Sequence, residues 1–274
     1  MPFTLIRGTF HVTGFSPDGD SIRFRATNKN QWGKLTRRAK LNAQEMAQLR
    51  FEGVDALETH YRGSRQPRTL ADAATMYVLS ALKIRNVVWG RREVTAADDG
   101  TPGYILTRNT DGFGRPVSFV FSGSPPEADG STVFLHVNRL RQSVNYRLMK
   151  HGLVYPTYYA TLYYELRSAL TDAAVDAWYA DAGVWPKDRS SGLTVKGQET
   201  IQDDHPILPK LFRRLTEYLG THSSVIGFKA WLEKKAEKVI VIPLGQATHF
   251  DTVIQQKGKR IGLTVYPEDL MFDP

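Results

Sequence analysis

Three short segments set acidic and arginine side chains beside tight backbone features. They are Asp18-Gly19-Asp20, then the run RFEGVDALE from Arg50 to Glu58, then Asp111-Gly112-Phe113-Gly114-Arg115. Carboxylates of this kind can bind a hard cation or activate water, and the arginine fork matches the oxygens of a phosphate. Taken singly, each segment also has a plainer reading: an Asp-Gly hairpin turn, a solvated strand-end carboxylate, a surface loop. Two acid–histidine neighbourhoods, Glu58 with His60 and Asp203-Asp204 with His205, lack a recognisable ligand spacing and read as structural. Lys229, Lys234, Lys235 and Lys238 could touch a phosphate backbone, although a run of charge is ordinarily a solvated face.

The elements that would position these residues follow from hydrophobic periodicity. TLIRGTFHVTGF, the turn Ser16-Pro17-Asp18-Gly19 and the alternating SIRFRAT predict a hairpin. Residues 28–40 carry Lys29, Lys34, Arg37, Arg38 and Lys40 with little apolar period, which predicts an exposed loop. LNAQEMAQ is expected to add a short helix before the strand QLRFEGVDA. Thr69 with Asp72 resembles a capping box, and Leu70, Ala73, Ala74, Tyr77, Val78 and Ala81 share one helical face. NVVWGRREVTA, GYILTR, PVSFVFSG and STVFLHV then alternate with turn residues, a spacing that suggests a barrel or sandwich. Helices are expected near Arg139–Lys150 and Tyr163–Asp181. The polar stretch 186–206 reads as a linker to a second unit with two amphipathic helices, around Leu211–Leu219 and Phe228–Leu232, and strands in VIVIPL and RIGLTVY.

The 274 residues suit one enlarged or two modest domains, and 41% hydrophobic with 23% charged residues is ordinary for a globular protein. With no cysteine, disulfides, thiolate metal sites and cysteine nucleophiles are excluded. No run approaches the roughly 18 apolar residues of a spanning helix, and the opening residues lack the pattern of a secretory signal, so no membrane association and a cytoplasmic location are expected. Lys and Arg (36) outnumber Asp and Glu (28), which favours a polyanionic partner such as nucleic acid.

The order and spacing of the three clusters resemble the staphylococcal nuclease (thermonuclease) family, whose pattern runs Asp-Gly-Asp-Thr, Arg-Leu-x-Gly-Ile-Asp-Ala-Pro-Glu, Asp-x-Tyr-Gly-Arg. DGDS, RFEGVDALE and DGFGR follow in that order, SVNYRLMKHGLVY is similar to the family's Val-Asn helix end, and AGVW to its closing Gly-Leu-Trp. The resemblance covers about residues 8–188. It implies Asp20 and Asp55 as metal-binding carboxylates with the carbonyl of Ala56, Arg50 and Arg115 as phosphate-contacting arginines, and Glu58 as the catalytic carboxylate. The implied metal is a divalent cation, calcium first, with magnesium or manganese as alternatives. Arg50, Arg115 and the metal would face the charge that develops on phosphorus, while Glu58 orients or deprotonates water. Cleavage on the 5′ side, leaving a 3′-phosphate, follows from the same resemblance.

Ser21 keeps the hydroxyl of the family threonine, Leu57 replaces a proline, and Gly112 and Phe113 stand where lysine and tyrosine are frequent. Ser21, Gly112, Phe113, Tyr158 and Tyr159 are the candidate nucleotide contacts, although YPTYYATLYY also reads as packing surface. The expected fold is α+β with a mainly β core: a five-stranded barrel of the oligonucleotide-binding (OB) type with three helices over 1–188, then a small α+β extension over 189–274. The expected function is metal-dependent endonucleolytic hydrolysis of DNA, RNA or both. The rivals are a catalytically silent nucleic-acid-binding module, and a nuclease effector whose extension binds a protein partner, a specific substrate or a second copy of the chain. Asp20, Asp55 and Glu58 favour the enzyme, because without a metal they would repel a polyanion.

Overall fold

The computed structural model describes residues 2–272. The chain is α+β with a mostly β core, and its contacts divide it into two compact units, Met1–Glu52 with Ala74–Leu148 and Tyr163–Ala169, and Gly53–Ala73 with Met149–Leu162 and Leu170–Pro274.

The first unit is built on one curled sheet. Its strands are β1 (Phe3–His11), β2 (Arg23–Ala26), β3 (Ala47–Gln48), β4 (Arg50–Phe51), then β8 (Thr101–Thr110), β9 (Pro116–Ser122) and β10 (Thr132–Val133). The order among the described residues is β3-β2-β1-β8-β9-β4, with β10 also on β1. β3 and β4 lie at opposite ends of that order, yet only the buried Leu49 separates them, so the sheet returns on itself as a nearly closed barrel. The β4–β9 closure is parallel, through Arg50↔Val117, and the other pairings are antiparallel. By alternation Leu5 and Phe119 lie on one face of the sheet and Phe10, Phe24 and Ile105 on the other, and all five are buried. Each such side chain contributes about 2–3 kcal/mol by leaving water. Gly8 and Gly103 face each other in the β1–β8 register, where a Cβ would strike the Arg25 carbonyl at one and the Phe10 ring at the other.

Around this sheet, local chemistry overrides several expectations. Residues 28–40 are not simply exposed: a short 3-10 turn over Lys29–Lys34 buries Trp32 edge-on against Phe24, with ring centroids 6.2 Å apart. LNAQEMAQ forms no helix, because the Asn42 carboxamide accepts from the backbone N–H groups of Gln44 and Met46 and closes a turn. The helix α1 (Arg68–Ala81) starts one residue before Thr69, and Pro67 rather than a capping box leads into it, its carbonyl accepting from Leu70 and Ala71. β6 (Arg85–Trp89) and β7 (Val94–Asp98) form a separate, largely exposed two-stranded ribbon. The single helix expected at 139–150 is two, α2 (Val137–Leu140) and α3 (Val144–Lys150). Ser143 divides them, its hydroxyl donating to the Leu140 carbonyl and accepting from the Tyr146 N–H.

In the second unit, β5 (Val54–Ala56) pairs with β11 (Val154–Pro156), and β12 (Tyr158–Tyr159) lies at one edge of a sheet with β14 (Lys238–Val241), β15 (Gln246–His249) and β18 (Leu270–Phe272), ordered β12-β18-β14-β15. A further sheet joins β13 (Leu193–Thr194), β17 (Arg260–Leu263) and β16 (Ile254–Lys257). The long helix α4 (Tyr164–Tyr179) contributes residues to both units. The amphipathic segments become α5 (Pro209–Leu219) and α6 (Phe228–Glu233), burying Leu211, Phe212, Leu215, Phe228 and Leu232.

The stretch 186–206 is built in rather than a loose linker. Asp188 accepts from the Tyr155 hydroxyl at 2.7 Å and the Ser190 hydroxyl at 2.6 Å, and Ser190 accepts in turn from the Leu208 N–H. Burial pushes both the Asp188 carboxyl and the Tyr155 hydroxyl up from their ordinary ranges. Among the described residues no helix is long and apolar enough to cross a membrane.

Candidate functional site

In the first unit, the DGDS motif is a turn held by its own side chains. The Asp18 carboxylate accepts from the Ser21 hydroxyl at 2.8 Å and from the Asp20 N–H at 3.4 Å, and Ser21 also accepts from Gln48. Ser21 is buried and works within this turn. The turn delivers Asp20 to β4: its carbonyl accepts from the Phe51 N–H, and its carboxylate receives the Arg50 guanidinium at 2.8 Å. Both side chains are about nine-tenths buried. The structure thus joins two of the residues singled out from separate motifs.

The DGFGR motif is the β8–β9 connection. Asp111 accepts from the N–H groups of Phe113 and Arg115 and from Arg115 Nε at 2.7 Å, while Gly114 adopts φ +80°, the left-handed turn conformation that favours glycine. One carboxylate therefore shapes the loop and aims the arginine. Phe113 is 79% exposed, its ring 5.5 Å from the Arg115 guanidinium carbon, and nothing stands within 4 Å of where a Gly112 Cβ would be.

Two buried residues that the motifs do not single out organise the same region. Asn145, on α3, accepts from the Val120 N–H and donates to the carbonyls of Glu52 and Ser118, so it ties α3 to β9 and to the residue following β4. Glu52 is 4% exposed, and its Oε1 has no hydrogen-bond partner among the described residues. Burial pushes its carboxyl up to about 7, against the pull of Arg108 and Arg50.

In the second unit, Gly53 at φ +77° turns the chain into β5, where Asp55 sits opposite Tyr155 and Ala56 opposite Val154. Asp55 is 1% exposed. Its partner comes from α5: Arg213 Nη2 donates to Asp55 Oδ2 at 2.7 Å, Nη1 to Oδ1 at 3.2 Å, and the same Nη1 to Glu58 Oε1 at 2.5 Å. Asp55 and Glu58 are thereby brought together around one guanidinium. Gln66, fully buried, fixes the Glu58 backbone by accepting from its N–H and donating to its carbonyl, and its side chain reaches the Ile207 carbonyl.

The two tyrosines part ways. Tyr158 is fully buried with its hydroxyl 2.9 Å from Thr171, so it packs within the unit and does not present a ring for a base to stack on. Tyr159 is half-buried, its ring 6.5 Å from that of Phe272.

A divalent cation does not fit these carboxylates as they stand. A cation bound to both Asp55 oxygens would lie against the guanidinium already on them, and like charges at that distance repel strongly. Among the described residues no group of three or more His, Asp or Glu side chains could hold a metal ion. Arg213 is the residue that motif reasoning missed: it lies 158 residues from Asp55, in a helix whose sequence announces only amphipathicity. No protein-family model matches the chain, and no curated protein matches it significantly.

Proposed function

We propose that the chain acts on nucleic acid as a phosphodiesterase, its nearly closed sheet being a barrel of the OB type. The observation that carries this reading is the buried Arg50–Asp20 ion pair, which unites two motifs 30 residues apart at the barrel's parallel closure. A guanidinium held by a carboxylate has a fixed orientation, and its planar fork is the group that matches a phosphate oxygen. Arg115, fixed through Nε by Asp111, is prepared in the same way. Charge developing on phosphorus would be met by these preset donors without reorganisation.

Glu58 is the group assigned to water. The water oxygen forms the new bond to phosphorus, its proton passes to Glu58, and the bond to the 5′-oxygen breaks, leaving a 3′-phosphate and a 5′-hydroxyl that gains a proton from solvent. No step is routed through a metal. The net positive charge of +8 favours a polyanionic substrate.

A second reading has its own observation: with Arg213 on both Asp55 and Glu58, those carboxylates are engaged, which favours a module that binds nucleic acid without cutting it. End-labelled single- and double-stranded DNA and RNA, incubated with calcium, magnesium, manganese or chelator, separate the two. Cleavage by the wild-type chain that disappears in Glu58→Ala supports the phosphodiesterase; binding without cleavage by both proteins supports the silent module.

A further inference from the structure

Three of the exposed aromatic side chains stand together. On α4, Trp178 and Tyr179 meet edge-on with ring centroids 4.9 Å apart, and Tyr266, just ahead of the 3-10 turn Pro267–Asp269, brings its ring to 6.4 Å from that of Trp178. They are 47%, 76% and 62% exposed in that order, and all three belong to the second unit. A single exposed aromatic is ordinary. Three in ring contact hold a contiguous apolar face in water, and such a face marks a contact surface.

The surroundings of the three rings are acidic. Residues 168–186 hold Asp172, Asp176 and Asp181 and no lysine or arginine, and residues 261–272 hold Glu268 and Asp269 and again none. Asp172, Asp176 and Tyr179 recur at i, i+4 and i+7, so they share one exposed stripe of α4. Asp181 and Asp269 are tied to the aromatic residues themselves: the Asp181 N–H donates to the Trp178 carbonyl at 3.1 Å, and the Asp269 N–H to the Tyr266 carbonyl at 3.0 Å. Burial pushes the Glu268 and Asp269 carboxyls up, and the charges acting on Glu268 are those of Asp269 and Asp188, carboxylates too. Among the described residues no ion pair engages Asp172, Asp176, Asp181, Glu268 or Asp269.

We propose that this face docks an arginine-rich segment of a protein partner. A guanidinium lies flat on an exposed ring while its N–H groups reach a neighbouring carboxylate, so one side chain type answers both the rings and the acids. Lysine meets the charge but has no plane to stack. The patch runs against the net charge of +8, and its carboxylates repel a polyanion, so its occupant differs from nucleic acid and the proposal stands whether or not the chain cuts phosphodiesters. A second copy presenting the same patch would set acid against acid, which disfavours a two-fold pairing through it.

A fluorescein-labelled hexa-arginine peptide is the probe, hexa-lysine its control, and fluorescence anisotropy with the full chain at physiological salt the readout. Net charge opposes binding of either peptide, so binding reports a local site. Tyr179→Ala combined with Tyr266→Ala is expected to weaken hexa-arginine binding by about tenfold. Asp181→Asn combined with Asp269→Asn is expected to weaken it by a similar factor and to flatten its salt dependence, asparagine tolerating the left-handed φ of 50° at Asp181. Hexa-lysine is expected to bind the wild type more weakly and to lose little with the rings. Both tyrosines are exposed, so the ring variant is expected to melt with the wild type; should it melt lower, Tyr179→Leu with Tyr266→Leu, which keeps apolar bulk without a π face, takes its place. Equal hexa-arginine affinity in wild type and ring variant overturns the proposal, as does hexa-lysine binding as tightly as hexa-arginine. Self-association of the chain in sedimentation velocity that the tyrosine variant abolishes puts a second copy on this face and overturns it as well.

Discussion

Glu52→Gln removes a charge from a place that water does not reach. In the folded chain burial holds the Glu52 carboxyl at about 7, against an ordinary value of 4.5. The folded state therefore binds the proton more tightly than the unfolded chain. The neutral form is fully compatible with the fold below about pH 4.5, and stability is lost as pH rises from there through 7, then levels off. A displacement from 4.5 to about 7, at about 1.4 kcal/mol per pH unit, costs about 3 kcal/mol once Glu52 is ionised, of which roughly 2.5 kcal/mol falls between pH 5 and pH 8. Glutamine keeps the shape and carries no charge, so the variant escapes this loss. Urea unfolding at the two pH values, followed by tryptophan fluorescence, to which the buried Trp32 of the same unit contributes, gives the numbers. The difference in unfolding free energy between pH 5 and pH 8 is expected to change by about 2.5 kcal/mol between wild type and variant, with glutamine the more stable at pH 8. If the two proteins show the same pH dependence, Glu52 does not carry a buried charge at neutral pH and the electrostatic reasoning fails.

Two further outcomes follow from buried polar groups. Asn145→Ala deletes three hydrogen bonds to otherwise buried backbone groups and is expected to cost about 3 kcal/mol, read as a lower urea midpoint with an unchanged slope. At Glu237 burial alone would raise the carboxyl, but hydrogen bonds and charge from Arg214 and Lys210 win and hold it at about 2. Its stabilisation is present above about pH 4.5 and lost as pH falls toward 2, so Glu237→Gln should lose about 2 kcal/mol at pH 7, discounted for partial exposure, and little at pH 2; thermal melts at the two pH values check this.

Strand alternation made β2 and the later half of β1 readable, because there buried and wetter positions alternate, whereas β8 and β9 showed as apolar runs, Gly103–Thr107 and Ser118–Phe121 being buried on both faces. Closure of the barrel was less so: it depends on β4 meeting β9 in parallel, a pairing between segments with no local mark of it. Asp188 and Ser190 misled because polar composition ordinarily means solvent, yet here Asp188 Oδ1 and the Ser190 hydroxyl find partners inside. Trp32 misled in the opposite sense, a lone large apolar side chain among lysines that the Phe24 edge recruits to the interior. For the site, spacing singled out Asp20 and Arg50, and the structure pairs them. Tyr158 was ambiguous from its run of tyrosines, and its burial with Thr171 resolves it as packing. Arg213 had no local signal, since what distinguishes it from Arg214 beside it is which distant carboxylate each meets.

The position of β18 inside its sheet has a consequence during synthesis. β18 lies between β12 and β14, so it inserts between strands that emerge from the ribosome long before it. Until Leu270–Phe272 has been translated, β12 and β14 each present an unpaired backbone edge, an invitation to pair with another nascent chain. The β14–β15 hairpin can close at once, but the sheet it belongs to cannot be completed co-translationally in order of appearance. Slowed translation through the segment after β15 would lengthen that exposure, making aggregation of the nascent chain sensitive to elongation rate there.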